Sequence, residues 1–147
     1  MKDVILLIED NRSDEKLTLL AFKSSGVSNQ IVVLRDGAAA VEYLLPSGPR
    51  TEAPPLPALV LLDLKLPKLD GHEVLRRIRA DERTKLLPVV ILTSSKEDED
   101  IVRSYALGAN AYVRKPVEFS AFVQAARTLG LFWLLLNEPL PDRGKSP

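Results

Sequence analysis

Five short runs of apolar residues, nearly continuous in Val, Ile and Leu in the first four, constrain this chain more than any other feature: Val4–Ile8, Ile31–Leu34, Leu59–Leu62, Val89–Leu92 and Ala111–Val113. A strand with one face in water alternates apolar and polar residues. Runs without that alternation suit strands buried on both faces, as in a parallel sheet. The intervening segments have helical spacing: Leu17, Leu20 and Ala21 after Ser13; Val41, Leu44 and Leu45 after Asp36; Val74, Leu75 and Ile78 after Asp70; Ile101, Val102 and Tyr105 after Ser95. Each is preceded by a residue able to cap it, and Ser95 with Asp98 reads as a capping box. Gly108 stands where a left-handed helix stop belongs, and the last helix is expected from about Glu118 to about Asn137.

Strict alternation of strand and helix requires right-handed crossovers, and therefore a doubly wound α/β fold with a five-stranded parallel sheet, in the size range of the flavodoxin-like type. The 147 residues make one domain, expected over 1–137, with a flexible tail over 138–147. Five of the eleven prolines fall between Pro46 and Pro57 and mark an exposed loop before the third strand.

Composition removes several chemistries. There is no cysteine, so thiol catalysis and cysteine-held metals are excluded, and the single histidine, His72, cannot build a multi-histidine zinc site. His72 itself, after Asp70-Gly71, is expected at a solvent-exposed helix start. Twenty basic and twenty acidic residues balance to zero net charge, which provides no general attraction to nucleic acid or anionic lipid. The arginines 76, 77, 79 and 83 read as a solvated helix face. The apolar stretch Leu129–Leu136 falls short of a membrane span, and the reading is a cytoplasmic protein with no membrane partner. Gly144-Lys145-Ser146 imitates the end of a phosphate-binding loop, but Pro139 stands where a glycine is needed.

In doubly wound sheets, ligands bind outside the carboxyl ends of the strands, where strand order reverses. Glu9 and Asp10 follow the first run, Asp63 the third, Thr93 the fourth, and Lys115 lies just past the fifth. Carboxylates so gathered repel one another unless a cation intervenes. Magnesium fits: it prefers oxygen ligands and is held by one or two carboxylates together with phosphoryl oxygens. Lys115 and Thr93 supply an ammonium and a hydroxyl for the remaining phosphoryl oxygens, and Asp63 is the carboxylate nucleophile.

These residues lie in motifs. Ile8-Glu9-Asp10-Asn11, Leu61-Leu62-Asp63-Leu64 with Pro67 and Asp70-Gly71, Leu92-Thr93-Ser94, and Gly108-Ala109 through Tyr112 to Lys115-Pro116 together resemble the response-regulator receiver domain of two-component signalling. The resemblance covers residues 3 to about 130. It implies that Asp63 accepts a phosphoryl group from a histidine kinase, and that Asp10 and Asp63 bind Mg2+ directly with the backbone carbonyl of Lys65. It also implies that Glu9 reaches the ion through water and that Thr93 and Tyr112 act as the switch pair. On this reading the chain is a phosphoacceptor with its own phosphotransfer and autodephosphorylation chemistry, not a conventional enzyme. A cis Lys115-Pro116 bond is implied too.

A finer likeness is to stand-alone receivers that serve bacterial phytochrome kinases, carried by the proline loop, Asp63-Leu64-x-Leu66-Pro67-Lys68, the acidic run Glu97–Asp100 and Phe132-Trp133-Leu134. Lys65 departs from the small polar residue that members often carry. No output domain is read, so the signal is expected to leave through an unidentified downstream protein. Two alternatives stay open. A haloacid-dehalogenase-type phosphatase needs a second aspartate two residues after the first, where Lys65 stands; a pseudo-receiver usually loses a site residue. Finally, Leu131–Leu136 is apolar on every side, which predicts a homodimer through Phe122, Leu129, Phe132, Trp133 and Leu136.

Overall fold

The structure, a computed structural model, describes residues 4–48, 54–116, 118–139 and 141. Strands β1 (Ile5–Ile8), β2 (Ile31–Leu34), β3 (Leu59–Leu62), β4 (Val89–Thr93) and β5 (Ala111–Arg114) alternate with helices α1 (Arg12–Ser24), α2 (Gly37–Leu44), α3 (Gly71–Ala80), α4 (Asp98–Ala106) and α5 (Phe119–Gly130). The sheet is wholly parallel, in the order β2-β1-β3-β4-β5. Its strands lie within one residue at either end of the runs read from the sequence.

Successive strand side chains point to opposite faces, so each run feeds two cores. Leu6, Ile8, Val60, Leu62, Val89 and Ile91 meet α2 and α3 through Ala40, Leu44, Val74, Leu75 and Ile78. Ile5, Leu7, Leu59, Leu61 and Val90 meet α1 and α5 through Ala21, Phe22, Phe122 and Ala126. The central strands are fully buried, whereas β2 and β5 at the edges are half-buried. Helix α4 adds little to either core: Ser104 is its one buried residue.

Local chemistry sets the helix starts, not always at the expected residue. Asp36 and Asp70 cap α2 and α3, accepting from the amides of Ala39 and Glu73. The cap of α1 is Asn11 and not Ser13, with Asn11 Oδ1 accepting from the Asp14 amide at 2.9 Å. No capping box forms at α4, which begins after Glu97 without a side-chain cap; the Ser95 hydroxyl instead donates to Asp100 at 2.6 Å. Gly108 does take a left-handed conformation, with φ at 100°.

Three surface expectations are corrected. His72 is buried, its Nε2 lying 3.0 Å from the Ser104 hydroxyl, because α4 crosses the start of α3 there. Arg79 donates to the carbonyls of Gly108 and Lys85, and Arg83 to those of Leu44 and Pro54, so these two tie α3 and its exit to neighbouring segments. Arg76 and Arg77 pair with Glu73 on the helix surface. Part of the proline loop, and all but three residues of the expected tail, lie outside the described residues.

The last helix ends differently from a simple continuation. After Gly130 the backbone widens into a π-helical segment, Leu131–Leu136. Phe122 is buried in the domain's own core and is therefore no interface residue, while Leu129 and Trp133 pack against the same core. Phe132, Leu135 and Leu136 are exposed. Phe119–Leu136 is long and apolar enough to cross a membrane by length and composition, with mean hydropathy 1.5 over 18 residues, which the shorter window read from the sequence understated. In this fold its inward residues cover the sheet.

Candidate functional site

Strand order reverses between β1 and β3, which are paired with Ile8 opposite Leu62. The residues that follow, Glu9 and Asp63, therefore leave the sheet side by side. Backbone bonds hold both in place: the Glu9 amide donates to Leu34, and the Asp63 amide to Ile8 at 3.0 Å. Gly71 completes the wall behind Asp63. Its amide donates to the Leu64 carbonyl at 2.8 Å, and a Cβ there would lie 2.3 Å from the Asp63 carbonyl oxygen, so only glycine permits so close a return of the chain.

Lys115 reaches the same point from β5. Its amide donates to the Thr93 carbonyl at 2.8 Å, which places the ammonium over the strand ends. No cis peptide bond occurs among the described residues, so Lys115-Pro116 is trans, and the ammonium reaches Asp63 without the expected cis turn. The ammonium lies 2.9 Å from Asp63 Oδ2 and 2.9 Å from Asp14 Oδ2, and pairs also with Glu9 Oε1. Its side chain is 6% exposed. Thr93 is fully buried and near enough to the Asp63 carboxylate to help hold its pKa down, and the Lys65 amide donates to Asp63 Oδ1 at 3.3 Å.

The electrostatics follow from crowding. Burial pushes the Glu9 carboxyl up to about 7, and the charge of Asp63 adds to it, although Lys115 pulls the other way. Asp63 is lowered: burial opposes its ionisation, but the Lys115 charge, with hydrogen bonds from Glu9, Lys115 and Thr93, outweighs burial. Lys115 is raised because its three carboxylate partners outweigh the cost of burying the ammonium.

One carboxylate oxygen from each of Glu9, Asp10 and Asp63 lies within 4.8 Å of the other two. An all-oxygen set that drives one member towards protonation is a donor set suited to a hard divalent cation, with magnesium the best match to so few protein ligands. Glu9, Asp63, Thr93 and Lys115 are thus brought together as expected, with Asp10 exposed at the rim. Tyr112 stands further off, its hydroxyl donating to the Ser95 carbonyl at 3.0 Å, and the Ser95 amide faces Thr93 Oγ1 at 3.4 Å. Sequence reasoning missed Asp14. Its place one helical turn past Asn11 was visible, but nothing local says that a lysine 101 positions later would reach it.

Comparison with known proteins agrees with this geometry. The profile of the response regulator receiver domain matches residues 5–127. The chain is 43% identical over 136 residues to "Probable methanogenesis regulatory protein FilR2" of Methanothrix harundinacea, covering 91% of this chain and 85% of that protein. It is 40% identical over 131 residues to response regulator Rcp1 of Synechocystis, covering 89% and 88%. Among solved structures, the phosphorylated cyanobacterial phytochrome response regulator RcpA superposes with a TM-score of 0.87 at 38% identity, over 96% of this chain and all of that one. The Mn2+-bound form of Rcp1 gives 0.84 at 37%, over 95% and 99%. The bacteriophytochrome response regulator RtBRR gives 0.75 at 52%, over 96% and 86%.

Proposed function

This chain belongs to the response regulator receiver domain family, and from that premise we propose that it accepts a phosphoryl group from a histidine kinase on Asp63 and relays the signal by binding another protein. The observation that carries the reading is the Lys115–Asp63 pair at the strand-order reversal, with Thr93 beside it. Its low pKa keeps Asp63 ionised as a nucleophile near neutral pH. An Asp63 oxygen attacks phosphorus, the P–N bond to the kinase imidazole breaks, and the ring nitrogen departs with the electron pair. The Lys115 ammonium and the Thr93 hydroxyl are placed to donate to phosphoryl oxygens as charge moves onto the carboxylate.

Asp10 and Asp63 would hold Mg2+ directly, with the Lys65 carbonyl, while Glu9 reaches it through water; the ion supplies further neutralisation of phosphoryl charge. The Mn2+-bound relative supports a divalent ion in such a site. A phosphatase of the haloacid-dehalogenase type is disfavoured by Lys65, and a pseudo-receiver by the complete set of site residues. The chemistry is stoichiometric phosphotransfer followed by hydrolysis of the acyl phosphate on the same site, so the protein is a signalling acceptor and not a turnover enzyme. A kinase that makes phosphohistidine draws on ATP, which sets this work in the cytoplasm.

Phosphorylation adds about two negative charges beside Thr93. Drawing its hydroxyl inward disturbs the Ser95 amide that faces it, and Ser95 anchors both Tyr112 and Asp100. Phosphate thus biases the packing of α4, the helix that the core holds least. A phytochrome kinase is the proposed donor, on the strength of the likeness to RcpA, Rcp1 and RtBRR. The downstream partner is a protein that reads the face of α4 and β5.

The protein is also proposed to be a homodimer. Leu135 is 76% and Leu136 66% exposed, with Leu131 and Phe132 beside them, and a second copy of the same patch would cover all four. The test of the main reading is labelling by acetyl phosphate with Mg2+: the wild type incorporates one phosphoryl group, and Asp63→Asn incorporates none. Undiminished labelling of that variant would refute the acceptor.

A further inference from the structure

We propose that Asp14 is a positioning residue that competes with the phosphoryl group for the Lys115 ammonium and so restrains phosphorylation of Asp63. This rests on the reading of Asp63 as acceptor. An ammonium has three hydrogens. Here three carboxylates surround it, Glu9, Asp14 and Asp63, and together they saturate it. A phosphoryl oxygen must therefore displace or outbid a partner.

The three partners are not equivalent. Glu9 and Asp63 belong to the trio of carboxylates suited to a cation, so their charge is offset when a metal is bound. Asp14 lies outside that trio, on α1, its backbone N–H donating a hydrogen bond to Asn11 Oδ1. A metal held by the trio leaves the Asp14 charge to Lys115 alone, so Asp14 pulls the ammonium towards α1 while the phosphoryl group needs it over β3. Its side chain is also 33% exposed against 1% for Glu9 and 9% for Asp63. Water screens that pair most, which makes it the one released most readily.

Asp14→Asn keeps the side-chain shape and the amide that α1 needs while removing the charge. The prediction is that it is labelled by acetyl phosphate about two- to fivefold faster than wild type, the scale of one partly exposed ion pair, and that Asp14→Glu returns towards the wild-type rate. The gain should persist at about 1 M salt, where the Debye length is about 3 Å and distant repulsion is removed but a direct contact is not. In Mg2+-free protein the Lys115 ammonium resonance should move in Asp14→Asn.

A wild-type protein labelled on Asp63, with Asp14→Asn labelled no faster, would overturn the proposal while leaving the acceptor intact. So would a gain that vanishes at high salt, or an unmoved ammonium resonance. Labelling that survives Asp63→Asn would instead remove the premise.

Discussion

The Lys115 ammonium stands 2.9 Å from the Asp63 carboxylate, joining the ends of β5 and β3 across the intervening β4. Both side chains are almost wholly buried, and the Lys115 charge is the main influence that keeps Asp63 ionised against burial, while Lys115 has Glu9 and Asp14 as further partners. The pair is a structural tie and the centre of the proposed chemistry at once.

Lys115→Met should show this double role. Removing one partner of a buried ion pair leaves the other uncompensated, which costs about 3–5 kcal/mol. Urea unfolding of Mg2+-free protein near pH 7 should report a loss at the lower end of that range, because Glu9 can take up a proton. Labelling by acetyl phosphate should fall as well.

The raised Glu9 carboxyl has a signed consequence for pH. Between its ordinary value near 4.5 and its folded value of about 7, the folded protein binds more protons than the unfolded chain. Stability from this group is therefore complete below about 4.5 and declines as pH rises to about 7. Asp63 works in the opposite sense: its lowered pKa contributes stability that is lost as pH falls below its ordinary value of 3.8. Unfolding followed across this range in Mg2+-free protein should show the decline towards pH 7, and Glu9→Gln should flatten it. Calorimetry should find Mg2+ affinity rising through pH 7, since the ion displaces the Glu9 proton.

Gly71→Ala tests the wall behind the acceptor. The added Cβ would lie 2.3 Å from the Asp63 carbonyl, so the loop must shift. Overpacking of this kind costs about 1–3 kcal/mol. A loss of that size in urea unfolding, together with slower labelling, is the expected outcome.

His72→Leu should loosen α4. The variant removes the hydrogen bond to Ser104 and buries an apolar group in its place, so the expected loss is about 1 kcal/mol. Amide exchange should show the excess confined to α4, whose apolar anchorage is weakest.

The proposed dimer is tested at its exposed residues. Leu135→Ser with Leu136→Ser should sediment as a folded monomer at tens of micromolar, where the wild type sediments as a dimer. Trp133 packs against the domain core, so polar substitution there would confound folding with association.

What the chain's sequence determined by itself was everything that depends on local periodicity. Uninterrupted apolar runs made buried parallel strands, helical spacing made the crossovers, and a parallel sheet with short loops must bring Glu9, Asp63, Thr93 and Lys115 to one edge. Tertiary structure decided what depends on which surfaces meet. The crossing of α4 over the start of α3 buried His72, and the packing of α5 on the sheet turned Phe122 inward while the π-helical segment after it left Leu135 outside. It also brought Asp14 to Lys115, residues on α1 and beyond β5 that sequence separation keeps far apart. A helix's spacing states which residues share a face, but the neighbour that face meets is set by the register and crossing of elements distant in the chain.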